Sequence, residues 1–167
     1  MGHYSFLRDL EESKIAVELV KTYIIDEHKK EGVVAEIEEL GRARQIEGDI
    51  EVTLPDRKYT IEIKYDIMAQ KTNNLCFETN NKKGKLTGIS STQSHKVIYV
   101  VPDKKNFYLY LFETEKLQKY LLDDDNKSRF RSVWGGDRWS TEMTLVPRET
   151  IIKEKINYKV EYINAGI

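Results

Sequence analysis

Cysteine is nearly absent from this chain of 167 residues, with Cys76 the single example. One thiol excludes an intrachain disulfide framework and a cysteine-built zinc site. A reducing, cytoplasmic setting is the expected location. Long hydrophobic runs are missing too, and the N-terminus carries no secretory pattern, so no membrane partner is expected. The three histidines, His3, His28 and His95, are scattered without metal-ligand spacing. Excess charge of either sign is also lacking: 27 basic residues face 28 acidic ones, for a net charge of −1. This balance does not by itself advertise a nucleic-acid binder and sits poorly with a broad positive surface, yet a dimer can concentrate its few basic loops on one face, and the distribution of charge matters more than its sum. No internal repeat, low-complexity linker or organic-cofactor motif interrupts residues 1–167, which read as a single domain long enough to bury a core without disulfides.

What is present is a patterned α/β chain. Ser5 to Glu31 reads as one long helix, with apolar positions at Leu7, Leu10, Ile15, Leu19 and Tyr23. Val33–Leu40 reads as a strand broken by Gly41, and a second strand runs through residues 42–54. The run "LPDRKY" is a tight turn with Pro55 and Asp56 at its centre. A third strand, "YTIEIKYD", sets Tyr59, Ile61, Ile63 and Tyr65 on one face and Thr60, Glu62, Lys64 and Asp66 on the other. "LCFET" is a short added strand, "ISSTQSH" a short helix, and "KVIYVV" and "FYLYLF" are apolar strands. "TEKLQKYLLDDD" is a helix capped by Thr114, followed by an irregular segment "SRFRSVWGGDRWS", a strand "TEMTLVP" and a last helix "RETIIKEKI". The order implies helices layered around a mixed sheet.

The hairpin carries the chemistry. A two-residue loop at Pro55–Asp56 sets Asp49 opposite Glu62; a four-residue loop sets it opposite Lys64. In both registers Asp49, Glu62 and Lys64 share one face. Clustered carboxylates repel unless a positive charge joins them. A hard divalent cation, magnesium or manganese, suits two carboxylates, the intervening Ile63 carbonyl and water. A lysine beside it suits metal-assisted phosphodiester hydrolysis. The competing interpretation is an ordinary solvated hairpin face, on which charged residues also alternate with apolar ones. Asp56 lies in the turn, up to about 20 Å along the strand from Glu62, too far to share an ion.

With "GDIEV", "EIKYD", "TNN", "FE" and "GKLTGIS" in this order behind an acid-rich helix, the chain resembles small phage-type members of the PD-(D/E)XK (restriction-endonuclease-like) nuclease superfamily. The resemblance covers roughly residues 5–101 and departs at the triplet Thr72-Asn73-Asn74, which lacks the family's glycine, and at His95, where an acid is often found. It implies a restriction-endonuclease-like αβββαβ core over about 5–112, with an added strand and a C-terminal extension over about 113–167. It implies Asp49 and Glu62 as metal ligands and Lys64 as the catalytic lysine. A first-helix glutamate often completes such sites; Glu18 is the candidate, with Glu11 and Glu12 behind it. The implied activity is a magnesium-dependent DNA endonuclease, structure-selective or a Holliday junction resolvase. A sequence-specific restriction or homing-type enzyme, or an inactive binding module of the same fold, are the alternatives. A homodimer in the cytoplasm, that of the host if phage-encoded, is the implied setting.

Lys82, Lys83 and Lys85 in a glycine-containing loop, with Thr87, Gly88 and Ser90 behind it, suit phosphate contact. Arg129 and Arg131 are further candidates for nucleic acid. The segment "FRSVWGGDRW" can be a DNA-facing loop or, as paired tryptophans more often are, a packing or dimer patch. Cys76 reads as a core residue rather than a nucleophile.

Overall fold

A computed structural model describes residues 2–164, with side chains described over 11–136 and 138–164. Helix α1 (Gly2–Lys30) lies across one face of a large sheet. Its buried row is Ala16, Val20 and Ile24, spaced four apart as a helix face requires. This corrects the expected stripe. Ile15 is exposed, Leu19 and Tyr23 only flank the contact, and Leu7 and Leu10 fall outside the described side chains.

The strands are β1 (Glu36–Glu39), β2 (Ile50–Thr53), β3 (Lys58–Tyr65), β4 (Asn74–Asn81), β5 (Lys96–Asp103), β6 (Asn106–Glu113), β7 (Arg131–Gly135), β8 (Thr141–Pro147) and β9 (Lys159–Asn164). The short helices are α2 (Ala69–Thr72), α3 (Thr114–Leu122), α4 (Asp124–Arg129) and α5 (Arg148–Lys153). The large sheet has six strands in the order β1-β2-β3-β5-β6-β9. It is mixed, because β3 and β5 run parallel while the other neighbours are antiparallel. Ile50, Val52, Ile61, Ile63, Ile98, Val100, Leu109 and Leu111 fill the face under α1. The opposite face buries Val97, Tyr99, Tyr110 and Phe112 against Leu75, Phe77, Ile89, Leu117, Val146 and Ile151. At its centre, the rings of Phe77, Tyr99 and Phe112 meet at centroid distances of 4.9–6.1 Å.

Several expectations shift. The added strand β4 does not extend the large sheet; it opens a separate three-stranded sheet ordered β4-β8-β7. Residues expected as a C-terminal extension are therefore woven into the domain: β8 pairs β4, and β9 closes the edge beside β6. Arg42–Glu47 form a 3-10 segment rather than part of a strand, and the helix expected at "ISSTQSH" is only a 3-10 turn, Gly88–Ser90. Thr114 does not cap α3. Its hydroxyl is buried 3.2 Å from Ser94 Oγ, while Asp123 caps α4 by accepting from the Asn126 N–H. No described helix is long and apolar enough to cross a membrane.

Candidate active site on the β2–β3 hairpin

Strand register decides what this hairpin can do. The Leu54 N–H donates to the Arg57 carbonyl at 2.8 Å, closing a two-residue loop at Pro55–Asp56. From there Thr53 pairs with Lys58 and Ile50 with Ile61. One step beyond the ladder, Asp49 is not itself paired: its N–H donates to the Ile61 carbonyl at 2.8 Å, the residue that Ile50 already faces, and its carboxylate reaches on to Ile63, so Asp49 flanks Glu62 from the end of β2. Gly48 makes this approach possible. At φ +125° it lies so close to β3 that a Cβ there would come 2.7 Å from the Ile61 carbonyl oxygen.

Asp49 Oδ2 accepts a hydrogen bond from the Ile63 N–H at 2.6 Å. Lys64 Nζ lies 2.8 Å from Glu62 Oε1. Burial, and then the charge of Glu62, push the Asp49 carboxyl above its ordinary value, against the opposing Ile63 N–H and Lys64. Around Lys64, burial opposes the charge, but Glu62, Asp49 and Glu78 outweigh it and hold the ammonium above its usual range. The Ile61 carbonyl faces β2, and strand alternation turns the Ile63 carbonyl to that same side, near Asp49. Among the described residues, no three acid, imidazole or thiol side chains converge on one point.

Two open concavities meet at this pair. One, of about 510 Å³, is lined by Glu12, Gln45, Asp49, Glu62, Lys64 and Tyr65. The other, of about 550 Å³, is lined by Arg42, Gln45, Glu62, Lys64, Glu78 and Gly88. Glu62 and Lys64 line both and stand on the ridge between them. Glu78 owes its position to a register shift in β4 between Glu78 and Asn80, and to Gly88. A Cβ on Gly88, at φ +55°, would fall 2.6 Å from that of Glu78.

The first-helix acid is corrected. Glu18 is 69 % exposed, pairs with Lys21 at 3.0 Å and lines a groove beside Phe107 and Tyr162 instead. Glu12 lines the concavity of Asp49 and Glu62, and its charge helps raise the nearby Tyr65 hydroxyl after burial has done so. The reason is geometric: Glu12 belongs to the same row, spaced by four, as Ala16, Val20 and Ile24, whereas Glu18 lies two residues from Ala16, about 200° around the helix. Asp66 was assigned no role by pattern. Its Oδ1 accepts from the Met68 and Ala69 N–H groups at 3.1 and 3.0 Å, and Oδ2 from the Cys76 N–H at 3.2 Å. It thereby fastens the start of β4, and so Glu78, to the end of β3.

Other candidates separate. Lys82, Lys83 and Lys85 are exposed on the loop after β4. The hydroxyls of Thr87 and Ser90 are buried and unpartnered in the turn behind it. Arg129 pairs with Glu154 and lies over the face of Phe130, so its half-exposed guanidinium ties α4 to the segment after α5. Arg131 is exposed, but at the opposite end of β7 from the lysine loop. His95 is a fold residue: its Nδ1 accepts from the Thr60 N–H at 3.0 Å. Burial, then Asp66 and Glu78, push the Cys76 thiol up to about 11, which disfavours a thiolate nucleophile. Compared with family models, curated proteins and solved structures, the chain matches none of them.

Proposed function

We propose that the chain is a divalent-metal-dependent nuclease of the PD-(D/E)XK type that hydrolyses phosphodiester bonds in DNA. One observation carries the proposal: Asp49, bonded to β3 at Ile61 and Ile63 on either side of Glu62, lines one concavity with Glu62 and Lys64, which are paired at 2.8 Å. Supporting it is the order α1, antiparallel β1-β2-β3, then a parallel β5, which agrees with the restriction-endonuclease-like core.

The residues fit a hard cation. Asp49 and Glu62 supply carboxylate oxygens, and the strained charge balance at Asp49 is of the kind a cation relieves. The Ile63 carbonyl adds a neutral oxygen. When bound there, magnesium or manganese supplies positive charge to the phosphate and to the water that attacks it.

The protein's own groups do the rest. The Ile63 N–H fixes the Asp49 carboxylate. Lys64, held beside Glu62, meets the negative charge that grows on the phosphoryl oxygens. Glu62 orients Lys64. Asp66 and Gly88 position Glu78 behind it. Hydrolysis adds water across one P–O ester bond, and the departing oxygen leaves as a hydroxyl.

The test is incubation of the protein with supercoiled plasmid and with a four-way junction, in magnesium or in chelator. Metal-dependent nicking that disappears in Asp49→Ala and Lys64→Ala supports the proposal. Cleavage that survives Asp49→Ala, or none on any DNA or RNA form, removes it. The junction separates a structure-selective enzyme from a sequence-specific one.

A further inference from the structure

We infer that the free end of the small sheet is a binding site for an unpaired nucleic-acid strand, with Trp139 as a stacking platform for one base. The inference names the substrate form of the nuclease proposed above and rests on that proposal for its link to cleavage.

Two segments distant in sequence meet at this end. The loop Lys82–Lys85 follows β4, and the turn 136–140 joins β7 to β8. The Lys82 N–H donates to the Ser140 carbonyl at 3.0 Å, and Lys82 Nζ to the Arg138 carbonyl at 3.4 Å. The loop is not a floppy tether: Asn81 Oδ1 accepts from the N–H groups of Lys83 and Lys85 at 2.9 and 3.0 Å. Arg138 and Trp139 adopt left-handed backbone at φ 56° and 54°, a conformation that non-glycine residues rarely take.

The side chains held this way face water. Trp139 is 70 % exposed, and Lys82, Lys83, Lys85 and Arg138 are exposed around it. Lys83, Lys85 and Arg138 make no ion pair with any described residue. In a chain of net charge −1, this is a local concentration of positive charge, unpaired among the described side chains, beside an exposed indole. The tryptophans, which composition alone favours as packing anchors, here include one that packs little.

Charge complementarity calls for an anion, and the indole calls for a flat partner. An unpaired strand offers both at once: phosphates for the cations and a free base face for the ring. In a duplex the base faces are already stacked, so it offers this surface only phosphates. Position completes the argument. From Asn81 to Glu78 is three strand residues, about 10 Å. Glu78 lines the same concavity as Glu62 and Lys64, so a strand anchored on the tip lies within reach of the ridge where they stand.

Trp134→Phe leaves Trp139 as the sole indole, because the chain has two tryptophans. Its fluorescence is titrated in chelator with a short oligothymidylate, with a blunt duplex of the same length, and with phosphatidylserine vesicles. Quenching by oligothymidylate is expected, with a weaker change for duplex and none for vesicles. Trp139→Ala, followed by anisotropy of labelled DNA, is expected to weaken single-strand binding roughly 5- to 150-fold, the equivalent of one stacked base, and to leave duplex binding unchanged. Trp139→Phe restores most of the loss, which a folding defect would not. Replacing Lys82, Lys83 and Lys85 together by alanine weakens both DNA forms and flattens the salt dependence. The inference is overturned if Trp139→Ala binds oligothymidylate as the parent does, if duplex binding falls equally, or if only vesicles change the fluorescence. Trp139-dependent binding without cleavage of any DNA keeps this site and removes the nuclease. Cleavage with single-strand binding indifferent to Trp139 does the reverse.

Discussion

The two ends of the β2–β3 hairpin present the same residue type in opposite circumstances. At the closed end, Asp56 follows Pro55, is 71 % exposed and sits 3.5 Å from its neighbour Arg57. At the open end, Asp49 is half-buried, accepts from the Ile63 N–H and donates its own N–H to the Ile61 carbonyl, so that it flanks Glu62. Pro55-Asp56 followed by Glu62-x-Lys64 spells a nuclease motif along the chain. The folded hairpin brings Asp49, without a proline, to the height of Glu62. Chain spelling and spatial adjacency diverge because a strand separates residues by about 3.3 Å each, while a pairing partner lies about 5 Å away whatever its number. Exposure costs Asp56 nothing and gives it nothing to act on. Burial raises the free energy of charge at Asp49.

That contrast can be broken at several points. Apart from loss of the Asp49 carboxylate itself, the largest effect is expected for Lys64→Ala, which leaves Glu62 without its cation; cleavage should fall by about 10²–10³-fold with the fold retained by circular dichroism. Gly48→Ala attacks the geometry rather than the chemistry. The new Cβ meets the Ile61 carbonyl, so stability should drop by about 1–3 kcal/mol in a denaturant titration, and cleavage should fall further than the stability loss explains. Asp66→Asn replaces one acceptor oxygen by a donor facing a backbone N–H. It should cost about 1–3 kcal/mol, and less activity than Gly48→Ala, because β4 loosens while the hairpin register stays.

The smallest effect has the opposite sign. The raised Asp49 pKa means the folded state holds that proton more tightly than the unfolded chain does. Stability from this group is full below the unfolded pKa and is lost as pH rises through the folded one. Asp49→Asn should therefore raise the Tm at neutral pH, by the equivalent of about 0.5–2 kcal/mol, with the gain shrinking as pH falls into the carboxylate range. An unchanged Tm across that range would show that the open end carries no buried charge cost and is no different from the closed one.

The hairpin itself was legible because every local signal agreed. The alternation of Tyr59, Ile61 and Ile63 fixed the buried face, and Pro55–Asp56 fixed the turn, which together left two registers, of which the two-residue loop is observed. The apolar strands β5 and β6 were equally plain. The second sheet was not legible. Leu75, Phe77 and Thr79 announce a buried face in β4, but its partner β8 lies more than 60 residues later, and alternation says nothing about which strand will pair. Strand β9 carries only a weak signal: Val160, Tyr162 and Ile163 stand among Lys159, Glu161 and Asn164, and its burial pattern is half-exposed. Among the first-helix acids Glu18 ranked ahead of Glu11 and Glu12 because Ala16 gives a weak hydrophobic signal beside Ile15; a stripe begun at Ala16 puts Glu12, which lines the concavity, first. The basic tip could not be read as one surface, since the loop after β4 and the turn after β7 become neighbours only when β4 and β8 pair.

The central claim is that the open end of the hairpin, not its turn, holds the reacting centre. It is tested most directly by magnesium-dependent nicking of one supercoiled plasmid by Asp49→Asn and Asp56→Asn, measured side by side. The structure predicts no detectable nicking by Asp49→Asn and a parental rate for Asp56→Asn. Nicking retained by Asp49→Asn and lost in Asp56→Asn would contradict the register-based site altogether.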